Sequence, residues 1–264
     1  MTEQNRSARP AQAQFSRQAA FYAQSIAHRH GEGLDVVTEF AALGRYGKVV
    51  DLGTGPGFTA FLMAPYSNYV MATDIAPGML AQARRLSAER HLANVGLMMV
   101  EAESLPFASN ALDAVTSRQA AHHFHDLPRA VADMARVLKP GAPLILSDPA
   151  APEGSFEAGW MNDVEVRRDA THIKDRKVSQ WNGLLAEVGF HVTHYSMAKV
   201  YLEFNDWVKR AATPQHEVEP LRRDFLAAPA TVKSAFGIQR DGDDITFHWD
   251  VLVFRAEKGM PGPQ

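Results

Sequence analysis

"KVVDLGTGPGFTA", Lys48 to Ala60, decides how this chain reads. The apolar pair Val49 and Val50 leads to Asp51, and three glycines follow at Gly53, Gly55 and Gly57. A short apolar run closed by glycines predicts a buried strand, a tight turn and then a helix. Turns of this kind bring backbone N–H groups close to a ligand at a helix start. The dinucleotide fingerprint places its third glycine three positions after the second. Here that position is Phe58, and the spacing is G-x-G-x-G instead. Asp51 adds a second departure, because a carboxylate at the strand end repels a diphosphate and attracts an ammonium.

The surrounding sequence alternates strands and helices. "YVMAT" predicts a second strand, and "APGMLAQARRLSAERH" a helix with Pro77 near its start. "VGLMMV" and "ALDAVTS" predict strands three and four. "LPRAVADMARVL" is an amphipathic helix that "KPG" stops, and "APLILSD" is a fifth strand. Strands separated by helices require crossovers, which give a parallel sheet with helices on both faces. Upstream, residues 14 to 43 read as helical through Phe15, Ala19, Tyr22 and Ile26. Downstream, 151–176 is a polar, Trp-containing segment and "HVTHYSMAKVYLEF" a long strand. Residues 205–236 are inserted helices broken at Thr213–Pro214 and Ala228–Pro229, and "DDITFHWDVLVFRA" is a last strand, antiparallel to its neighbours.

Composition narrows the function. The 264 residues carry a net charge of -3, which speaks against nucleic acid or an anionic membrane as the main partner. There is no Cys, so disulfides, zinc–thiolate sites, iron–sulfur clusters and thiol nucleophiles are excluded. No apolar run is long enough to span a bilayer, and a cytoplasmic protein is the expectation.

Three acidic strand ends define the expected ligand. Asp51 would attract an ammonium, with Thr54 and the glycine N–H groups near a carboxylate. Asp74, in "ATDIAPGM", can accept both ribose hydroxyls, with Ile75 and Met79 beside it. In "VEAESLPF", Glu101 can accept an adenine amino group while the Ala102 N–H reaches a ring nitrogen, next to Glu103. An ammonium, a carboxylate, a ribose and an adenine without phosphate describe S-adenosylmethionine. "VVDLGTGPGF", "ATDIAPGML", "EAESLPFASNALDAV" and "MARVLKPGAPLILSD" together resemble the class I S-adenosylmethionine-dependent methyltransferases, in the branch of the ubiquinone/menaquinone C-methyltransferases. "FSRQAAFYAQS" resembles that branch's lid helix, whereas "KPGAP" departs from the usual two glycines without a second proline.

The resemblance implies a Rossmann-like α/β fold with a seven-stranded sheet, order 3-2-1-4-5-7-6, strand 7 antiparallel. It also implies a helical lid over 1–44, a methyltransferase domain over 45–258 with helical insertions at 151–176 and 205–236, and a flexible tail at 259–264. A small-molecule acceptor is expected, aromatic or heterocyclic, methylated on carbon or oxygen ahead of nitrogen. A homodimer is left open. Binding of the cofactor without methyl transfer, for regulation or for use of the sulfonium electrostatically, is the alternative.

Methyl transfer needs alignment, exclusion of water and, for some acceptors, a base. "TSRQAAHHFHDLP" at the end of strand four, with Ser117 toward the cofactor, offers Arg118, His122 and His123. Were this stretch helical, Arg118 and His122 would share a face, His122 taking a phenol proton while Arg118 held the anion; His123 is the competing base. Packing or capping is the plainer role for these histidines, and no carboxylate cluster supports a metal. Phe15 and Tyr22 would cover the site, Tyr22 next to the sulfonium. Asn162, Glu165, Arg168 and His172 are substrate candidates against the simpler reading of a solvated helix. Trp160 and Trp207 would wall the pocket or fill the core.

Overall fold

The computed structural model describes residues 4–24 and 31–260. The expectations for Ile26 and for most of the tail, 261–264, lie outside the described residues. The first half runs α1 (Gln4–Gln24), α2 (Glu32–Ala42), β1 (Tyr46–Leu52), α3 (Phe58–Met63), β2 (Ser67–Asp74), α4 (Pro77–Glu89), β3 (Val95–Met99), β4 (Ala114–Arg118), α5 (Leu127–Val137) and β5 (Pro143–Ala151). There follow α6 (Ser155–Arg168), β6 (Arg176–Lys177), α7 (Val178–Glu187), β7 (Phe190–Glu203), α8 (Phe204–Ala211), α9 (Gln215–Ala227), α10 (Ala230–Phe236), β8 (Gln239–Asp241) and β9 (Asp244–Lys258).

The sheet order is β3-β2-β1-β4-β5-β9-β7. β1 to β5 are parallel, and β9 runs antiparallel to both β5 and β7. This is the expected seven-strand order with the last strand inserted antiparallel. Two short strands bring the total to nine: β6 extends the end of β5, and β8 is a hairpin arm on β9. Reversal between β3-β2-β1 and β4-β5 opens a crevice at the carboxyl ends of β1 and β4, where ligands bind in open α/β sheets. Asp51 pairs with Thr116 and Leu52 with Ser117 across that junction.

Local sequence explains the elements that border the crevice. In α5, Leu127, Ala130, Val131, Met134 and Val137 recur at helical spacing and are buried against the sheet. Asp126 caps the helix by accepting from the Arg129 backbone N–H at 3.1 Å. The long helical reading of 14–43 resolves into α1 and α2, with Gly31 at φ 128° immediately before α2.

The helical insertions build a second core. Phe204, Trp207, Phe225, Phe236, Phe247 and Trp249 are buried there. Trp160 joins them, 4.9 Å from Phe225 and 5.6 Å from Phe236 between ring centroids. The first pair is edge-to-face and the second stacked, and aromatic pairs of either kind contribute about 0.5–1.5 kcal/mol beyond area burial. Trp160 therefore fills the core and does not wall the pocket.

α1 crosses α4 at one glycine. A Cβ on Gly78 would sit 2.6 Å from the Ser16 carbonyl oxygen and 2.7 Å from its Cα, both backbone atoms that cannot rotate away. Gly78→Ala is expected to unseat α1 although alanine favours a helix by about 1 kcal/mol. Limited trypsin digestion should cut at the exposed Arg17 faster in the variant; an unchanged rate would show that the crossing tolerates the methyl.

Candidate active site

A cavity of about 850 Å³ opens over the carboxyl ends of β1, β2 and β4. One half is lined by the Gly53–Pro56 loop, Asp74, Ile75, Met79 and the Glu101–Ser104 turn. The other is lined by His122, His123, Glu165, Arg168, His172, Asp175, Trp207 and Trp249, with Phe15 and Tyr22 of α1 also on the wall.

The first half is built on the glycine loop. Gly53, Gly55 and Gly57 all have positive φ, 63°, 54° and 99°, which side-chain-bearing residues rarely adopt. Asp51 lies beneath this loop, fully buried, and does not line the cavity. One of its oxygens accepts the Thr54 hydroxyl and the other the Thr116 hydroxyl, both at 2.6 Å. Burial pushes its carboxyl up to about 6, against those hydrogen bonds. Direct contact with an ammonium thus gives way to a different role: Asp51 sets the shape of the loop. Gly57 and Ser117 also lie off the cavity wall. The Ser117 hydroxyl donates to the Leu52 carbonyl at 3.0 Å and ties β4 to β1.

Asp74 is on the wall, and two backbone N–H groups aim it. Its Oδ2 accepts from Gly55 at 2.9 Å and its Oδ1 from Ala76 at 2.8 Å. A carboxylate has about four acceptor positions, so two remain for a vicinal diol. Burial pushes Asp74 up to about 6. Glu101 and Ala102 line the far end; the Glu103 carboxylate is committed to the backbone N–H groups of His125 and Asp126, at 2.8 and 3.3 Å. A cavity of this size with a backbone-aimed carboxylate and an acidic turn on its wall fits S-adenosylmethionine.

The stretch after β4 is not one helix. Arg118 ends the strand, Gln119 turns left-handed at φ 53°, and only Ala121–His123 form a 3-10 turn. The left-handed residue breaks the helix that would have put Arg118 and His122 on one face. The Arg118 Nε donates to the Thr59 hydroxyl at 3.1 Å, on the side of the glycine loop.

His122 instead meets Asp148, in the second half of β5, Nδ1 to Oδ1 at 2.9 Å. Burial opposes its charge, but Asp148, by charge and hydrogen bond, and Asp175 and Glu165 behind it hold the imidazole at about 9. His123 stands next to it, ring centroids 4.1 Å apart, and His172 at 5.4 Å. Burial and the neighbouring His122 charge push His123 down to about 3 and His172 to about 2. His123 Nδ1 lies 3.0 Å from the Thr171 carbonyl, which places its hydrogen there and leaves Nε2 as an acceptor. Asp175 is raised well above the carboxylate range by burial, which outweighs the pull of His122.

Of the α6 candidates, Glu165 and Arg168 reach the cavity and Asn162 does not. Glu165 Oε1 accepts both the Trp207 and Trp249 indole N–H groups, at 3.2 and 2.6 Å, and its Oε2 accepts from Arg168 at 3.1 Å. Asn162 clamps the loop that carries His172, accepting from the Asp175 N–H at 2.8 Å and donating to its carbonyl at 3.2 Å. Trp249 and the acids Asp148 and Asp175 escaped the reading of the sequence. Asp148 was within reach of it, as one more acid closing a strand; nothing local marks Trp249 or Asp175.

Residues 50–146 match the family model of the methyltransferase domain. An uncharacterized Escherichia coli protein, YafE, is 34% identical over 206 residues, 78% of this chain and 98% of its own length. The crystal structure of a putative methyltransferase from Bacillus halodurans superposes with a TM-score of 0.81 at 30% identity, covering 86% of this chain and 99% of that one. Demethylmenaquinone methyltransferase of Thermus thermophilus is 38% identical over 113 residues, 41% of this chain and half of the relative. The chain is a class I S-adenosylmethionine-dependent methyltransferase.

In this methyltransferase the His122–Asp148 pair also contributes to the fold. A histidine held at about 9 stabilises fully below its unfolded value of 6.5 and loses that contribution as pH rises through 9. The melting-temperature deficit of His122→Gln is therefore expected to be largest below pH 6.5 and to shrink between pH 7 and 9.5. A deficit independent of pH would contradict the ion pair.

Proposed function

We propose that this methyltransferase acts on a small aromatic acceptor bearing an ionisable hydroxyl, on ring carbon or on oxygen, with the His122–Asp148 pair as base. The observation that carries the reading is a strongly basic imidazole, oriented by a buried carboxylate, in the same cavity half as two indoles. Trp207 and Trp249 border that half while almost fully buried, so they set the limit of an apolar wall rather than an open stacking face. The T. thermophilus relative's name supports a quinone-like ring as one form of the acceptor. The cofactor would supply an electrophilic methyl carbon. Asp74 would hold the ribose hydroxyls, Glu101 and Ala102 the adenine, and Phe15 and Tyr22 would exclude water from above.

Catalysis by this chain's residues then reduces to proton handling and alignment. With Nδ1–H donated to Asp148, the other nitrogen of His122 accepts the acceptor's hydroxyl proton. Asp148 stabilises the imidazolium that results, and the anion left on the acceptor becomes the nucleophile. Neutral His123 adds no competing charge beside it. The net charge of -3 and the absence, among the described residues, of a helix long and apolar enough to cross a membrane support a cytoplasmic role on a small molecule.

Release of S-adenosylhomocysteine during incubation with a panel of naphthols and hydroxyquinones tests the reading directly. kcat is expected to rise with pH to a plateau near 9, as His122 loses its proton, and to fall at least a hundredfold in His122→Gln with KM for the cofactor unchanged. A profile that falls with rising pH would reject His122 as the base. Separately, affinity for S-adenosylhomocysteine by calorimetry should weaken below pH 6, where Asp74 takes a proton and loses acceptor capacity. Equal affinity at pH 5 and 7.5 would remove Asp74 from the ribose.

A further inference from the structure

One buried acid in the histidine half of the cavity has no task in proton transfer. Asp175 lies on the wall immediately before β6 and is 1% exposed. Neither of its carboxyl oxygens has a hydrogen-bond partner among the described residues. His172 Nε2 stands 3.7 Å from one of them and is equally without such a partner. Buried polar groups are almost always paired, so two neighbours left unpaired on a cavity wall point to a ligand.

The backbone that carries the two is fixed on three sides. Ile173 and Lys174 both donate their N–H groups to the His122 carbonyl, at 2.9 and 3.2 Å. The Asn162 side chain accepts from the Asp175 N–H at 2.8 Å, and the next residue, Arg176, pairs with Ala150 of β5. A loose loop could turn an unpaired acid out to water, whereas this one is tied to the residue that carries the proposed base. The His122 and His172 rings are 5.4 Å apart between centroids. A small acceptor whose hydroxyl meets His122 therefore brings another substituent to His172 and Asp175.

The charges nearby select the chemistry of that substituent. His122, Arg168 and Arg210 border the same half of the cavity, which disfavours a cationic group. Burial holds the Asp175 carboxyl well above the carboxylate range; His122 and Arg168 pull the other way, and Glu165 and Asp148 add to the rise. In its protonated form the carboxyl has an O–H to donate, and an uncharged oxygen is the partner that takes it. Burial and the charge of His122 keep the neighbouring His172 imidazole neutral.

We propose that Asp175, with His172 beside it, selects acceptors that carry a carbonyl oxygen on the ring system bearing the ionisable hydroxyl. This rests on the reading of an aromatic acceptor and narrows it to molecules with both groups. An analogue without the carbonyl leaves the buried acid unpaired, and sites of this kind discriminate strongly against such analogues.

The test measures, by calorimetry on protein saturated with S-adenosylhomocysteine, the binding of two phenols of one shape. They are 6-hydroxy-1-tetralone and 5,6,7,8-tetrahydro-2-naphthol, which differ by the carbonyl. The unsubstituted protein is expected to bind the ketone at least tenfold tighter. Asp175→Leu should cut that preference below threefold by weakening the ketone alone, whereas Asp175→Asn, whose amide still donates, should keep at least fivefold. Should the leucine variant not fold, Asp175→Ala takes its place with the same expectation. A preference that survives loss of the carboxyl, or an equal loss for both phenols, would overturn the assignment. Binding of both phenols without preference removes the carbonyl and leaves the aromatic reading standing; binding of neither removes both.

Discussion

A fully buried carboxylate governs the cofactor half of this protein. Asp51 has no exposure, and each of its oxygens takes one threonine hydroxyl, from the glycine loop on one side and from β4 on the other. A charge or a shared proton in that position costs several kcal/mol unless its lone pairs are satisfied. The two hydroxyls meet that requirement only while the loop is folded back over the strand end. Loop shape, the junction of β1 with β4 and the exit of Arg118 therefore depend on one group that never faces the ligand.

The cavity separates charge by region. Near the loop, acids predominate and Arg118 stands among them. Around β5 and α6, acids and bases are matched: His122 with Asp148, Arg168 with Glu165. Three imidazoles within about 6 Å of one another cannot all be charged, and only the one bonded to a carboxylate is basic. The cavity thus holds one basic imidazole flanked by two neutral rings, the arrangement on which the proposed base role rests.

The fold was legible because its signals are local. Valines before Gly53, Pro77 at a helix start, and the Leu127-to-Val137 periodicity each report on their own neighbourhood, and the resemblance supplied the order in which strands assemble. The position of Asp74 was legible for the same reason, as an acid that closes a strand. Asp51 carried the right residue and the wrong contact: the sequence shows a carboxylate at a strand end but not the two threonines that occupy it, one of them 65 positions away. Glu165 reaches the cavity as read, but its partners were not legible, since Trp207 and Trp249 lie 42 and 84 positions on and converge only through α8 and β9. The condition that would put Arg118 and His122 on one helix face is not met, and a left-handed glutamine leaves no compositional mark by which to see that.

One element spans both halves of the cavity. From α1, Gln12 donates to the Ile75 carbonyl at 3.0 Å, beside the nucleoside region, and Gln14 donates to Asp169 at 2.7 Å, beside the histidines. At about 1 kcal/mol net per hydrogen bond, these ties hold the helix down only loosely. The two side chains sit two positions apart, about 3 Å along the helix axis, so both halves of the cavity are tied to the same turn of α1. Any displacement of that turn would uncover the nucleoside side and the histidine side together, because Ala11, Phe15 and Tyr22 of α1 line one continuous cavity.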